Sequence, residues 1–252
     1  MELLVVLFGL LSLLSSGAAY SAVSDDTLKS FPSPRDEFDI KTGAILSPIL
    51  RPRVSGTENN TAVLQHFVNF FKTQLPEWRL ELHNSSSTTP VSHGKQVPFV
   101  NLIATRDPPN AGAGDVGRLA LVAHYDSKLE PAGFIGAIDS AAPCAMLMYA
   151  ARTIDKALTS KWTAASADDL DDLEDQKGVQ ILLLDGEEAF KTWTHTDSLY
   201  GSRYVKPCLL YMNRHILTAL PQSLGPRLGG HLSPRCLRIQ NTPRFNRPLR
   251  PA

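Results

Sequence analysis

The chain has 252 residues, 43% of them hydrophobic, with 25 Lys+Arg against 25 Asp+Glu. That composition belongs to a globular protein and excludes a collagen, an acidic disordered chain and a polytopic membrane protein. The zero net charge averages two unlike parts: all 25 acidic residues lie at or before Asp197, beside 16 Lys+Arg, while everything after it has nine Lys or Arg and no acid.

Residues 3–14 are an apolar run followed by small residues at 15–19. The run is too short to span a bilayer comfortably, so residues 1–19 read as a secretory signal peptide cut near Ala19, although Glu2 stands where a basic flank is expected. The sequons at Asn59 and Asn84 agree with export. Cys144, Cys208 and Cys236 cannot all pair within the chain, and they fit neither a disulfide framework nor a Cys-x-x-Cys metal site. Residues 20–58, broken by Pro32, Pro34, Pro48 and Pro52, read as an extended lead-in.

Helical spacing of Val63, Phe67, Phe70 and Phe71 predicts a helix over 61–74. Trp78, Leu80 and Leu82 alternate with polar residues as in a half-buried strand, and a Ser/Thr/Pro loop follows at 84–92. Residues 99–105 are a second strand. Residues 118–123 look like a strand buried on both faces, as do 179–184. Between these two lies the clearest helix, 139–158, with Asp139 as N-cap and Pro143 in its first turn. The acids of 168–175 lack the spacing and turn glycine of a calcium loop and read as a solvated loop. Alternating strands and helices predict an α/β fold with a mostly parallel central sheet flanked by helices.

In open α/β sheets ligands sit beyond the carboxyl ends of the strands. His124-Tyr125-Asp126-Ser127-Lys128 follows the first buried run, Asp185-Gly186-Glu187-Glu188 follows the second, and Asp139 opens the intervening helix. A catalytic zinc needs three protein ligands from His, Asp and Glu with a position left open. Adjacent glutamates suit it, one binding metal while the other moves protons. Each signal alone has a plainer reading. Glu187-Glu188 can simply start a helix, where acids meet the dipole favourably, and His-x-Asp can be a structural pair. Their combination at successive strand ends favours a site.

These residues, with 136–146, Trp193 and 197–203, closely resemble the glutaminyl-peptide cyclotransferases (glutaminyl cyclases), which share a fold with zinc aminopeptidases and other peptide hydrolases. The resemblance covers roughly 40–206. It implies an incomplete zinc-aminopeptidase-like catalytic domain over 59–206 and one zinc ion per chain. Asp139 and Glu188 match zinc ligands, Glu187 the general acid/base, and Trp193 a substrate-pocket aromatic. His124 matches the ligand of a second metal in the two-metal aminopeptidases, and Asp126 its orienting partner. The implied activity converts the N-terminal glutamine of peptides to pyroglutamate with release of ammonia. A metallo-aminopeptidase of the same fold is the alternative, and an inactive fragment the second. The implied partner is a peptide or protein N-terminus, with no nucleic acid and no stable membrane insertion, for a monomer in the secretory lumen or outside the cell.

Three departures stand out. The family's third zinc ligand, a histidine after tryptophan, has no match, because His195, His215 and His231 all lie in other contexts. Residues 207–252, rich in Arg and Pro, resemble nothing in the family and read as a tail not native to the fold, from a frameshift, a retained intron or alternative splicing. The family also pairs a cysteine before its His-Tyr-Asp motif with the one matching Cys144. Here that position is Ala123, so Cys144 is expected as a free, buried thiol.

Overall fold

The computed structural model describes residues 23–112, 116–164 and 177–205, together with the backbone of Leu237–Arg238. Met1–Ser33 separates as a unit of its own. In it Ser24 caps helix α1, Asp25–Ser30, its Oγ accepting the Thr27 N–H at 3.2 Å.

The second unit begins at Pro34. Its first residues are not an extended lead-in. They form 3-10 turns at Arg35–Phe38 and Ser47–Ile49, and Pro48 lies second in the latter, where its missing N–H costs nothing. Ile45 and Ile49 are buried in the main core, which makes this stretch part of the fold.

Helix α2, Glu58–Gln74, begins three residues before the predicted start because Thr57 caps it, accepting the Asn60 N–H at 3.3 Å. Val63, Phe67, Phe70 and Phe71 lie on its buried face as the spacing required. Burying each such side chain contributes about 1.5–3 kcal/mol.

Strand β1, Arg79–Ser87, pairs antiparallel with β2, Val97–Arg106, through nine residues from Arg79↔Thr105 to Ser87↔Val97. The pairing carries β1 through Asn84–Ser87, where a loop was predicted. A full backbone ladder outweighs the weak strand preference of Ser and Asn.

β3, Arg118–His124, and β4, Gly178–Leu184, run parallel to each other, while β4 is antiparallel to β2. With β5, the pair Leu237–Arg238 against Glu81 and Leu82, the order is β3-β4-β2-β1-β5. The α/β class holds, but the sheet is mixed and β3–β4 is its one parallel pair among the described residues. An apolar run signals burial on both faces and says nothing of direction. β4 is the central strand its sequence promised. Among the described residues β3 is instead an end strand of the sheet, with Leu119 61% and Val122 55% exposed.

Helix α3, Ala142–Ala164, packs with α2 against one face of the sheet, enclosing Phe67, Phe71, Met148, Ile181 and Leu183. An Arg152–Glu37 ion pair, Nη1 to Oε1 at 2.7 Å, ties α3 to the first 3-10 turn. Asp139 does not cap α3. It lies before the helix in a hook over Ala137–Ala141 with non-helical backbone (φ −115°, ψ 88°). The 168–175 acids and the tail of 207–252, apart from the backbone of β5, lie outside the described residues.

Candidate metal centre

Because β3 and β4 are parallel neighbours in register, with His124 opposite Leu184, both end at one rim of the sheet. The Tyr125 N–H donates to the Leu184 carbonyl at 2.7 Å and carries the pairing one step further. His124 and Asp126 thus leave β3 beside Asp185, Glu187 and Glu188 leaving β4, and the hook of Asp139 closes over them.

His124 is the hub. Its Nε2 lies 2.8 Å from Asp139 Oδ1 and 3.8 Å from Glu187 Oε2, and its Nδ1 lies 3.3 Å from Asp126 Oδ1. A carboxylate faces each ring nitrogen, an arrangement that favours the doubly protonated ring. Burial opposes that charge, but the Asp126 and Asp139 carboxylates outweigh it and push the imidazole up to about 9. Ligand atoms of His124, Glu187 and Glu188 lie within 4.8 Å of one another. Asp139 joins this trio through His124, and its own side chain is 69% exposed.

Asp126 is the support beneath. Its buried carboxylate accepts the Glu187 N–H (3.0 Å) on Oδ1 and the Glu188 N–H (2.9 Å) on Oδ2, fixing where both glutamates leave the chain. Burial raises the pKa of Glu187, with His124 opposing, and burial likewise raises that of Glu188, with Lys128 opposing. Glu188 is 5% exposed, and its nearest cation, Lys128 Nζ, stands 4.0 Å away. A buried carboxylate so incompletely neutralised, facing an imidazole and two further carboxylates, is a donor set that fits zinc. His124 held from its far nitrogen by Asp126 is the arrangement that orients a metal-binding histidine.

Sequence reasoning assigned no role to Asp185. It is buried and accepts the Ser55 hydroxyl (2.7 Å), the Asn60 amide (3.0 Å) and the Val100 N–H (2.9 Å). Its own N–H donates to Asn101 Oδ1 at 2.8 Å, and Asn101 Nδ2 donates to the Gly201 carbonyl at 2.8 Å. Burial and the nearby Asp126 charge push Asp185 up to about 7 against these donors. Gly186, at φ +68°, has no room for a side chain, since a Cβ would meet the Phe99 ring at 2.4 Å.

Trp193 is 54% exposed on the segment after the glutamates. Asp197 fastens that segment: Oδ1 accepts the Phe190 N–H (3.0 Å) and the Tyr200 hydroxyl (2.6 Å), and Oδ2 accepts the Lys191 and Thr192 N–H groups, each at 2.9 Å. Burial raises the Asp197 pKa, but the Tyr200 hydroxyl and these N–H groups together hold it below its ordinary value. A depressed carboxylate stabilises the fold above its unfolded pKa of about 3.9, and the contribution is lost as pH falls through the lower folded value. Asp197→Ala is expected to cost about 1–3 kcal/mol, by urea denaturation at pH 7, because four donors lose their acceptor. The gap to the parent protein should narrow as pH falls through that lowered value. A variant matching the parent at pH 7 would show that the carboxylate does not hold the segment.

Cys144 is free and fully buried, its thiol donating to the His124 carbonyl at 3.1 Å and pushed up to about 12 by burial. Asn59 and Asn84 are both exposed, the first on α2 and the second on β1. His195 is exposed and outside the cluster; His215 and His231 lie outside the described residues. No helix among the described residues is long and apolar enough to cross a membrane.

Comparison with known proteins bears on this rim directly. Residues 101–212, which contain His124, Asp126, Asp139, Asp185, Glu187, Glu188, Trp193 and Asp197, match the model of peptidase family M28. The chain is 37% identical over 163 residues to a glutaminyl-peptide cyclotransferase-like protein of Bos taurus, covering 64% of this chain and 38% of that one. It is 33% identical over 187 residues to a glutaminyl-peptide cyclotransferase of Drosophila melanogaster, covering 73% and 46%. It therefore spans less than half the length of these relatives. Among solved structures, the glutaminyl cyclase of Macrostomum lignano superposes with a TM-score of 0.56 at 29% identity, covering 76% of this chain and 51% of that one.

Proposed function

The chain is a homologue of the glutaminyl-peptide cyclotransferases, and on that premise we propose that its rim cyclises N-terminal glutamine to pyroglutamate with release of ammonia. The observation that carries the reading is the convergence of His124, Glu187 and Glu188 within 4.8 Å, with Asp139 held to His124 at 2.8 Å. Asp139 and Glu188 are the zinc ligands in this reading, and His124 is the remaining donor at hand among the described residues, or the ligand of a second metal. To bind, His124 gives up one of its two ring protons. Bound zinc would act as a Lewis acid on the side-chain amide oxygen, where negative charge develops.

The chain's own residues do the rest. Glu187 takes a proton from the peptide's α-amine, the nitrogen bonds to the side-chain amide carbon, and the bond from that carbon to the amide nitrogen breaks. Glu187 then returns the proton to the leaving ammonia. Its raised pKa suits both halves of that exchange, since efficient proton transfer wants a value near the working pH. Trp193 offers an exposed indole face for the substrate. Nucleophile and electrophile belong to one residue, so holding them in an attacking geometry removes much of the entropic barrier. The apolar leader and the exposed sequons at Asn59 and Asn84 support export and glycosylation.

The match to peptidase family M28, with His124 inside the cluster, favours aminopeptidase activity as the second reading. One assay separates the two: the zinc-supplemented protein is offered a peptide beginning with Gln and another beginning with Leu. Ammonia from the first alone is the expected result. Free leucine from the second would replace the cyclase by the hydrolase, and silence from both would leave a protein without either activity.

A further inference from the structure

Arg53 is completely buried, and no ion pair among the described residues includes it. Among the described residues its guanidinium donates only to backbone carbonyls: Nε to Tyr125 at 2.5 Å, Nη2 to Gly136 at 3.0 Å, and Nη1 to Ile135 and, at 3.4 Å, Arg51. Two of these acceptors bracket the site. Tyr125 stands between His124 and Asp126, and Ile135-Gly136 forms the base of the Asp139 hook. The Gly136 carbonyl also accepts the Ala141 N–H at 3.0 Å, so the hook is closed on the atom that Arg53 holds. On the other side the Arg53 N–H donates to Ser127 Oγ at 2.9 Å, and its carbonyl accepts from Asn60, a partner of Asp185.

Burying a cation without a carboxylate partner is costly, and an apolar side chain would fill the same volume without that cost. What an apolar residue lacks is a rigid planar fork of donors that reaches two chain segments at once. We propose that Arg53 is a positioning residue: its fork fixes the Asp139 hook against the end of β3, so that the Asp139 carboxylate meets the His124 ring. The inference rests on the functional reading only in taking His124 and Asp139 as site residues. The negative potential of Asp126, Asp139 and Glu188 opposes the fall in pKa that burial imposes on Arg53, so the cation and the acidic rim support each other.

The test is Arg53→Lys, which keeps the charge and loses the fork. The readout is the ring N–H signals of His124 in the protein labelled with ¹⁵N-histidine, on the fraction shown by circular dichroism to be folded. The expected result is loss or a large shift of the Nε2–H signal, which faces Asp139, with the Nδ1–H signal toward Asp126 retained. Zinc affinity, measured by competition with a chromophoric chelator, should fall about 10- to 100-fold. A purely structural role would lower stability yet leave the folded protein's His124 signals unchanged, and that outcome overturns the proposal. If Arg53→Lys does not fold, Gly136→Ala is read in the same way. Its Cβ would lie 2.4 Å from the Asp139 carbonyl oxygen and 3.3 Å from Arg53 Nη2, at φ +48°, displacing the hook with Arg53 intact. The ring signals need neither zinc nor substrate, so a protein that fails to cyclise glutamine would sink the functional reading and leave this result standing.

Discussion

Asp126→Ala is expected to destabilise the protein by about 3–5 kcal/mol, the cost of breaking a buried charged network from one side. The carboxylate is 1% exposed and serves three partners at once, the Glu187 and Glu188 N–H groups and His124 Nδ1. Alanine leaves two backbone donors in a space too confined for bulk water, and an imidazolium short of one counter-charge. The substitution also acts on the site. Without the carboxylate both glutamate N–H groups lose their acceptor, leaving the Leu199 N–H bond to the Glu187 carbonyl to hold that turn, and His124 loses the acceptor that orients its ring. Urea denaturation gives the first effect and zinc stoichiometry the second, with well under one ion per chain expected. Asp126→Asn should fall between parent and alanine, since the amide oxygen can still accept one N–H. A loss below 1 kcal/mol for alanine would mean that water takes over the carboxylate's role and that the support described here is dispensable.

The largest effect on activity at unchanged zinc content is expected from Glu187→Gln. The amide has the shape of the acid and keeps the backbone bond to Asp126, but it cannot shuttle a proton. On a peptide beginning with glutamine, kcat should fall about 10²- to 10⁴-fold, the usual contribution of general acid–base catalysis, with zinc content unchanged. Glu188→Gln should behave differently, because a neutral amide is a poor ligand. There zinc occupancy falls and activity is lost with it. If Glu187→Gln lost zinc while Glu188→Gln kept it, the roles of the two adjacent glutamates would have to be exchanged.

Much of the site is legible in the chain. His124, Asp126, Glu187 and Glu188 follow apolar runs that form adjacent strands, and the rule that chemistry lies beyond strand ends finds them without any contact being known. The local setting of Asp139 was misread. Its sequence context suits a helix cap, yet the residue sits in a hook before α3, a shape decided by what grips the hook from outside. Arg53 could not be read at all. An arginine between Pro52 and Val54 carries no periodic signal, and three of its acceptors lie 72 to 83 positions away. Asp185 and Asn101 are the same case, 84 positions apart and joined only once β2 and β4 pair. Apolar content likewise identified β3 as a strand but not, among the described residues, as an end strand. Position within a sheet follows from long-range pairing, which local sequence does not encode.

The central place of β4 also sets an order of events in folding. β1 and β2 are a hairpin, and β3 with α3 is a continuous stretch of chain, so each half can form from local contacts. The two halves meet in the sheet only through β4, which pairs with β2 on one side and β3 on the other. Joining them is the long-range step, for which loop-closure entropy is lost before its contacts form. Asp185, Glu187 and Glu188 sit on the end of that same strand. Closing the sheet and completing the acidic rim are therefore one event, and the like charges gathered there oppose the last step of folding until His124, Lys128 or a metal ion offsets them.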